Sequence, residues 1–392
     1  MRLFFCETFD DGTVGGSHAC MYNLLRNLDA PDIEVTVGFY GPNLYVKKYR
    51  EIGVKVEILP VGSRVRNGNP LMRKARNWYR ERFSEPASLR EWLKERKFDL
   101  VVLNNSIYVS LLFVGVCRSL GIPLVVYERG IGVLEKRHID ASGEVEASIP
   151  VSDAVRNHLV RNGFRAKVMR RIYDGIEVDR WRSDVDATEI KRNLGLPEGC
   201  RVVGIVGNIR FWKGQDHFID AVKILSGRYP DVYGLIVGGW GESDRGYNDG
   251  LRRKVGESGL SDRIRFLGYR TDVPDLFSVL DVFVHASTKP EPFGMVILEA
   301  MAARRPVVAT NIGGPPEILD GGRCGILVPP GDAGAIADAC GKYLDDESFR
   351  RETVERACER LKAEFNISSS VASTVALFRD VCRTRQNRIM QT

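Results

Sequence analysis

The residues best suited to chemistry fall in two short stretches of the second half of the chain. In Gly207-Asn-Ile-Arg210-Phe-Trp-Lys213-Gly214, two cations stand three residues apart, directly after the apolar run Arg201–Val206. A guanidinium can hold two oxygens of a diphosphate in its planar fork, and an ammonium adds a point charge. A charged surface loop is the plainer alternative. In Glu291-Pro-Phe-Gly294-Met-Val-Ile-Leu-Glu299-Ala-Met-Ala, a helix is expected to start at about 293–294. Its first N–H groups would face a ligand. Glu291 lies just before that start, and Glu299 lies near the second turn. A carboxylate inside MVILEAMA is costly to bury without hydrogen-bond donors. Ribose or sugar hydroxyls are such donors, and a cap or a salt bridge is the competing reading.

Two glycine turns complete the set. Gly12-Thr-Val-Gly15-Gly16-Ser17 follows the short apolar run Arg2–Cys6 and precedes Met21, Leu24, Leu25 and Leu28, which share one helical face. Glycines let a backbone approach a phosphate at a helix start, and Ser17 is expected to cap that helix. This stretch is neither G-x-G-x-x-G nor a lysine-bearing phosphate loop, so a tight strand–helix turn reads equally well. Gly313-Gly314-Pro-Pro-Glu317 is another turn into a short helix, where turn chemistry alone suffices.

These stretches must be positioned by a scaffold, and the apolar pattern supplies one. Strands are expected at Arg2–Cys6, Glu34–Phe39, Lys55–Leu59, Leu100–Leu103 and Pro123–Tyr127, with a helix at Leu89–Arg96. The pattern then restarts, with strands at Arg201–Val206, Tyr233–Val237, Ile264–Leu267, Val282–His285, Pro306–Thr310 and Gly325–Val328. Near-continuous apolar strands alternating with helices predict parallel sheets buried on both faces, hence doubly wound α/β domains. The weakly patterned stretch Trp181–Cys200 reads as linker with a short helix inside it. The segment from about 368 to 392 reads as a separate amphipathic helix able to pack back on the first domain.

A chain of 392 residues suits two such domains. No run of 18 or more uncharged apolar residues occurs, so no membrane-spanning helix is expected. The start, MRLFFCETFDDG, reads as a core strand rather than a secretion signal. Eight cysteines without C-x-x-C spacing suggest reduced thiols in a cytoplasmic protein, and five histidines show no metal-ligand spacing. Between Arg64 and Arg82, seven basic residues face Glu81 alone, which accounts for the net charge of +6. With Trp78, Tyr79 and Phe83 among them, this segment suits peripheral docking on an anionic membrane surface, with a solvated charged face as the alternative. No nucleic-acid partner is expected.

Taken together, Glu291…Glu299 at E-x7-E spacing, the R-x-x-K-G loop at Arg210–Gly214, Gly15–Gly16 and PVVATNIGGPPEIL at 306–319 resemble glycosyltransferase family 4. The resemblance implies the GT-B fold, two Rossmann-like doubly wound domains facing across a cleft. It places an acceptor-binding domain at 1–175 and a nucleotide-sugar donor domain at 176–367. It implies a retaining transferase moving a sugar from a nucleotide-diphosphate sugar, UDP before GDP, to a glycan or lipid-linked acceptor in cell-surface polysaccharide or glycolipid assembly. Glu299 would bind ribose and Glu291 the donor sugar. Backbone at Phe293, Gly294, Met295 and Val296 would touch sugar and diphosphate. Arg210 and Lys213 would neutralise the diphosphate, with Gly15 and Gly16 approaching it from the first domain. Asp174-Gly175-Ile176-Glu177 stands where relatives carry N-G-[IV]-D, which sets the boundary near 175. Tyr127-Glu128-Arg129-Gly130 stands where relatives carry T-E-H-G, so Glu128 or Arg129 takes the histidine's place at the donor. No cofactor or metal is required if Arg210 and Lys213 carry the charge, and Asp184-Val-Asp186 is incidental. A non-catalytic nucleotide-sugar-binding protein and another GT-B enzyme, such as a sugar-nucleotide epimerase, are the rival readings.

Overall fold

The computed structural model describes residues 1–7, 15–41, 44–61, 85–107 and 111–390, with the side chains of 388–390 left aside. The basic segment Arg64–Arg82 lies outside these residues. The chain folds into two compact units. One comprises Met1–Gly175 together with Ile367–Thr392, and the other Ile176–Asn366.

The first unit holds a seven-stranded parallel sheet of β1 (Arg2–Cys6), β2 (Glu34–Phe39), β3 (Lys55–Ile58), β4 (Leu100–Leu103), β5 (Leu124–Glu128), β6 (Ala147–Pro150) and β7 (Val168–Met169), ordered β3-β2-β1-β4-β5-β6-β7. β4 and β5 are buried along their whole length, as continuous apolar runs between two helix layers should be. Phe4 organises one side, with ring centroids 5.0 Å from Trp92, 5.2 Å from Phe98 and 5.9 Å from Phe113. The helix Gly16–Arg26 starts two residues earlier than a Ser17 cap requires. Gly15 is its N-cap and no side chain caps it. The terminal helix Ile367–Met390 packs on this unit, where Thr374 meets the Tyr127 hydroxyl at 2.9 Å and Phe378 meets Phe5 at 5.9 Å.

The second unit holds a six-stranded parallel sheet of β8 (Arg201–Val206), β9 (Val232–Val237), β10 (Ile264–Gly268), β11 (Val282–His285), β12 (Val307–Thr310) and β13 (Ile326–Val328), ordered β10-β9-β8-β11-β12-β13. Strand succession runs outward in one direction from β8 and in the other from β11, so the topological switch point lies between them. Open sheets of this kind bind ligands at the carboxyl ends of the strands at that point. The stretch read as linker belongs to this unit. It carries a short turn at Val178–Trp181, whose tryptophan packs on Phe277 at 5.9 Å, and a helix at Ala187–Asn193. Asp186 caps that helix by accepting from the Thr188 amide at 2.9 Å, which gives the D-x-D a structural role. All eight cysteines are free and seven are buried.

Candidate nucleotide-sugar site

In the second unit the two sequence stretches meet at the switch point. β8 leads into the loop at 207–210 and the single turn Phe211–Lys213, while β11 ends at His285 and leads toward Glu291. The segments are tied together by the Thr288 amide, which donates to the Trp212 carbonyl at 2.8 Å. Lys213 then reaches Glu291, Nζ to Oε2, at 2.5 Å, and its ammonium lies 4.2 Å from the Trp212 ring centroid.

The same carboxylate oxygen receives two more contacts. Ser287 Oγ donates to it at 3.2 Å, and His285 Nε2 stands 3.4 Å away. Ser287 Oγ and His285 Nε2 are themselves 3.2 Å apart. Burial acts to raise the Glu291 carboxyl, but the Lys213 charge and the His285 hydrogen bond outweigh it and hold the group well below the usual carboxylate range. Glu291 is therefore an anion anchored through Oε2. Its Oε1 accepts nothing among the described residues.

Glu299 contrasts with it. It sits on the helix Met295–Ala302, its side chain makes no hydrogen bond or ion pair among the described residues, and burial alone pushes its carboxyl up to about 7. Gly294 caps this helix with a φ of +121°, and Phe293 beside it is buried. Met295 and Val296 form the first turn, whose N–H groups lack partners within the helix. Arg210 Nε lies 4.0 Å from Asp244.

The Gly313–Gly314 turn has a larger task than turning the chain. Gly313 forms an isolated parallel bridge with Glu291, and the Gly314 amide donates to the Glu291 carbonyl at 2.8 Å. A Cβ on Gly313 would stand 2.3 Å from that carbonyl oxygen, and one on Gly314 2.4 Å from the Phe293 oxygen. These glycines let the 313–314 backbone brace the segment that carries Glu291.

Gly15 and Gly16, at the start of the helix Gly16–Arg26, and Glu128 and Arg129, at the end of β5, lie in the first unit. A Cβ on Gly16 would meet nothing within 4 Å among the described residues, so packing does not demand a glycine there. Arg129 is committed within its unit. It is ion-paired with Asp174, donates through Nε to the Asn104 carbonyl at 3.1 Å, and lies 4.6 Å from the Tyr127 ring centroid. Glu128 is fully buried at the end of β5. Its Oε1 accepts from the Ile107 amide at 3.2 Å, its Oε2 meets no hydrogen-bond partner within reach among the described residues, and burial, only partly offset by the Ser106 hydroxyl and the Ile107 amide, pushes its carboxyl up to about 7. A carboxyl of ordinary value near 4.5 when unfolded binds more protons in the fold between these two values, so it loses stability as pH rises through that window. Glu128→Gln is expected to match the parent at pH 4 and to exceed it at pH 8 by about 3 kcal/mol, measured by urea unfolding. Equal midpoints at pH 8 would show that the carboxylate finds a partner.

His285 and Ser287 escape sequence reasoning. The available signal is a histidine closing the otherwise apolar strand VFVH at a sheet's carboxyl edge.

Two parallel-sheet α/β units, with charged side chains gathered at the switch point of the second, define a GT-B protein. Two family models match the chain, Glycosyltransferase Family 4 over residues 14–180 and Glycosyl transferases group 1 over residues 186–360. The chain belongs to this glycosyltransferase family. It is 34% identical over 214 residues to the lipopolysaccharide core biosynthesis mannosyltransferase LpsB of Rhizobium meliloti, a match covering 54% of this chain and 61% of that protein. It is 28% identical to the alpha-D-kanosaminyltransferase of Streptomyces kanamyceticus over 67% of this chain and 72% of that one. The chain thus spans less than two thirds of the length of the Rhizobium protein. Anabaena HepE, solved in complex with UDP and glucose, shares the fold with a TM-score of 0.82 at 24% identity, over 96% of this chain and 99% of its own.

Proposed function

We propose that the protein is a retaining glycosyltransferase that moves a sugar from a nucleoside-diphosphate sugar, UDP before GDP, to a glycan or lipid-linked acceptor in cell-surface polysaccharide or glycolipid assembly. The observation that carries this reading is the pairing of an anchored anion with acceptor oxygens that no described residue satisfies, at one switch point. Glu291 is fixed through Oε2 by Lys213 and offers Oε1, while Glu299 is a half-buried carboxyl without a hydrogen-bond partner among the described residues. Hydroxyl-rich ligands satisfy both. The names of the Rhizobium and Streptomyces relatives support the reaction class, and the Rhizobium name supports the setting in lipopolysaccharide assembly.

In this reading the bond between the anomeric carbon and the diphosphate oxygen breaks, and a bond from the acceptor oxygen forms on the same face. The acceptor's proton passes to the departing diphosphate, so no strong protein base is needed. Lys213, which can donate three hydrogen bonds, turns the two not held by Glu291 toward the diphosphate, and Arg210 supplies the second cation. Such preorganised charge acts most strongly on the negative charge that grows in the transition state. Glu291 Oε1 accepts from a donor-sugar hydroxyl, and Glu299 accepts from the ribose. These cations make a metal unnecessary.

Calorimetric titration with UDP, GDP, ADP and dTDP, first without metal and then with magnesium, tests the assignment. One nucleotide is expected to bind without metal, about tenfold more weakly to Glu299→Ala, the cost of roughly one hydrogen bond to a charged group. Binding is also expected to tighten from pH 6 to pH 8 as Glu299 loses its proton. Absence of binding by all four to folded protein would remove the donor site and favour a scaffold.

A further inference from the structure

We propose that His285 is a positioning residue for Glu291, holding the carboxylate in place while Lys213 is drawn to the diphosphate. The inference rests on the donor-site reading above. Lys213 has two claimants in that reading, Glu291 and the donor's phosphates. A carboxylate held by the ammonium alone would follow it or reorient when the ammonium is shared. Ser287 and His285 supply two further contacts on the same oxygen, at 3.2 Å and 3.4 Å, and both come from the rigid end of β11 and the residues just after it.

The geometry dictates which ring nitrogen carries the proton. His285 is 4% exposed, its Nδ1 is buried without a hydrogen-bond partner among the described residues, and its Nε2 faces Glu291 Oε2 and Ser287 Oγ. A proton on Nδ1 would bury an unsatisfied N–H and set the Nε2 lone pair against a carboxylate oxygen. A proton on Nε2 donates to the carboxylate and leaves only an unmet acceptor at Nδ1, a smaller penalty. The facing charged groups are Glu291 and, through the same oxygen, Lys213. His285 therefore donates through Nε2 to the carboxylate oxygen that Lys213 also holds.

Two measurements decide the matter. Nitrogen-15 NMR of the histidine rings at pH 7.5, with the His285 signals assigned by their loss in His285→Gln, is expected to show Nε2 protonated and Nδ1 bare, and the Nε2 signal should move in Glu291→Gln. A proton on Nδ1 would overturn the proposal. The second measurement follows UDP release from UDP-glucose. His285→Leu is expected to lower kcat roughly 10- to 100-fold, the rate equivalent of one hydrogen bond to a charged group. Its affinity for UDP by calorimetry should stay unchanged. His285→Gln, whose amide can donate from a similar position, should recover most of the rate. A leucine variant with unchanged kcat, or a glutamine variant no better than leucine, would overturn positioning. If the parent binds none of UDP, GDP, ADP and dTDP, the donor reading falls, and the ring tautomer with its response to Glu291→Gln still decides this one. The same NMR arm serves if the leucine variant does not fold.

Discussion

Lys213→Ala is expected to reduce UDP release from UDP-glucose by roughly 10²- to 10³-fold, the scale of removing one preorganised charge-stabilising donor. The loss has two sources. The ammonium no longer meets the diphosphate, and Glu291 no longer has its principal counter-ion at 2.5 Å. Without Lys213, burial dominates and the Glu291 carboxyl rises toward protonation. Its folded value lies below the unfolded one in the parent, so the stability it contributes is present above the unfolded value and fades as pH falls. Breaking a partly buried pair like this one from one side costs up to about 3 kcal/mol, the lower end of the range for fully buried pairs. The variant should therefore be destabilised at pH 7, with a gap that narrows below the unfolded value near 4.5 and closes only as pH falls through the lower folded value, in urea unfolding. The double variant Lys213→Met with Glu291→Gln separates the effects, since it removes both charges. It should recover much of the stability at pH 7 and none of the rate. Recovery of rate, or a single variant with parental turnover, would show that Lys213 does not serve the leaving group.

The fold was legible because its strands are near-continuous apolar runs. β1, β2, β4, β8 and β11 fall on the residues that the pattern picks out, from Arg2–Cys6 to Val282–His285. β6 and β7 were not legible. The first reads Ala-Ser-Ile-Pro, with a hydroxyl and a proline inside four residues, and the second has two residues. Both lie at the sheet's far end, where few partners are needed. The stretch at 181–200 looked like a linker because its apolar positions are sparse, yet Trp181 and Ile190 suffice to seat it. At the site, the charged members were visible as residue types, whereas their arrangement was not. Lys213 and Glu291 stand 78 residues apart, and only the adjacency of β8 and β11 brings them together. His285 looked like the last residue of a strand, and the bracing of Glu291 by Gly313 looked like an ordinary turn. Arg129 reads in sequence as a substitute for a ligand-binding histidine, and the structure shows what the extra charge engages, the Asp174 carboxylate.

Gly214→Ala is expected to destabilise the second unit by about 2–5 kcal/mol, toward the upper end. Two costs combine. Gly214 adopts φ +73°, a left-handed conformation that costs an L-residue about 1–2 kcal/mol. Its Cβ would also stand 2.0 Å from the Ala286 carbonyl oxygen and 2.9 Å from the carbonyl carbon. Overpacking of this kind adds about 1–3 kcal/mol, and the obstructing atoms are backbone at the end of β11, with no side chain to rotate away. Gly259 provides the control, since it has φ +69° and a Cβ there would meet nothing within 4 Å. Gly259→Ala should cost only the conformational share, and the difference between the two variants in urea unfolding isolates the steric one. The obstruction also bears on chemistry, because Ala286 lies between His285 and Ser287, the residues that fix Glu291. Whatever relieves the clash moves Ala286 relative to Lys213, so the 2.5 Å contact should lengthen and UDP release should slow in the fraction that folds. Stability equal to that of Gly259→Ala would show that the 214 and 286 backbones do not approach so closely. A destabilised variant with parental turnover would instead show that the Lys213–Glu291 pairing does not depend on that approach.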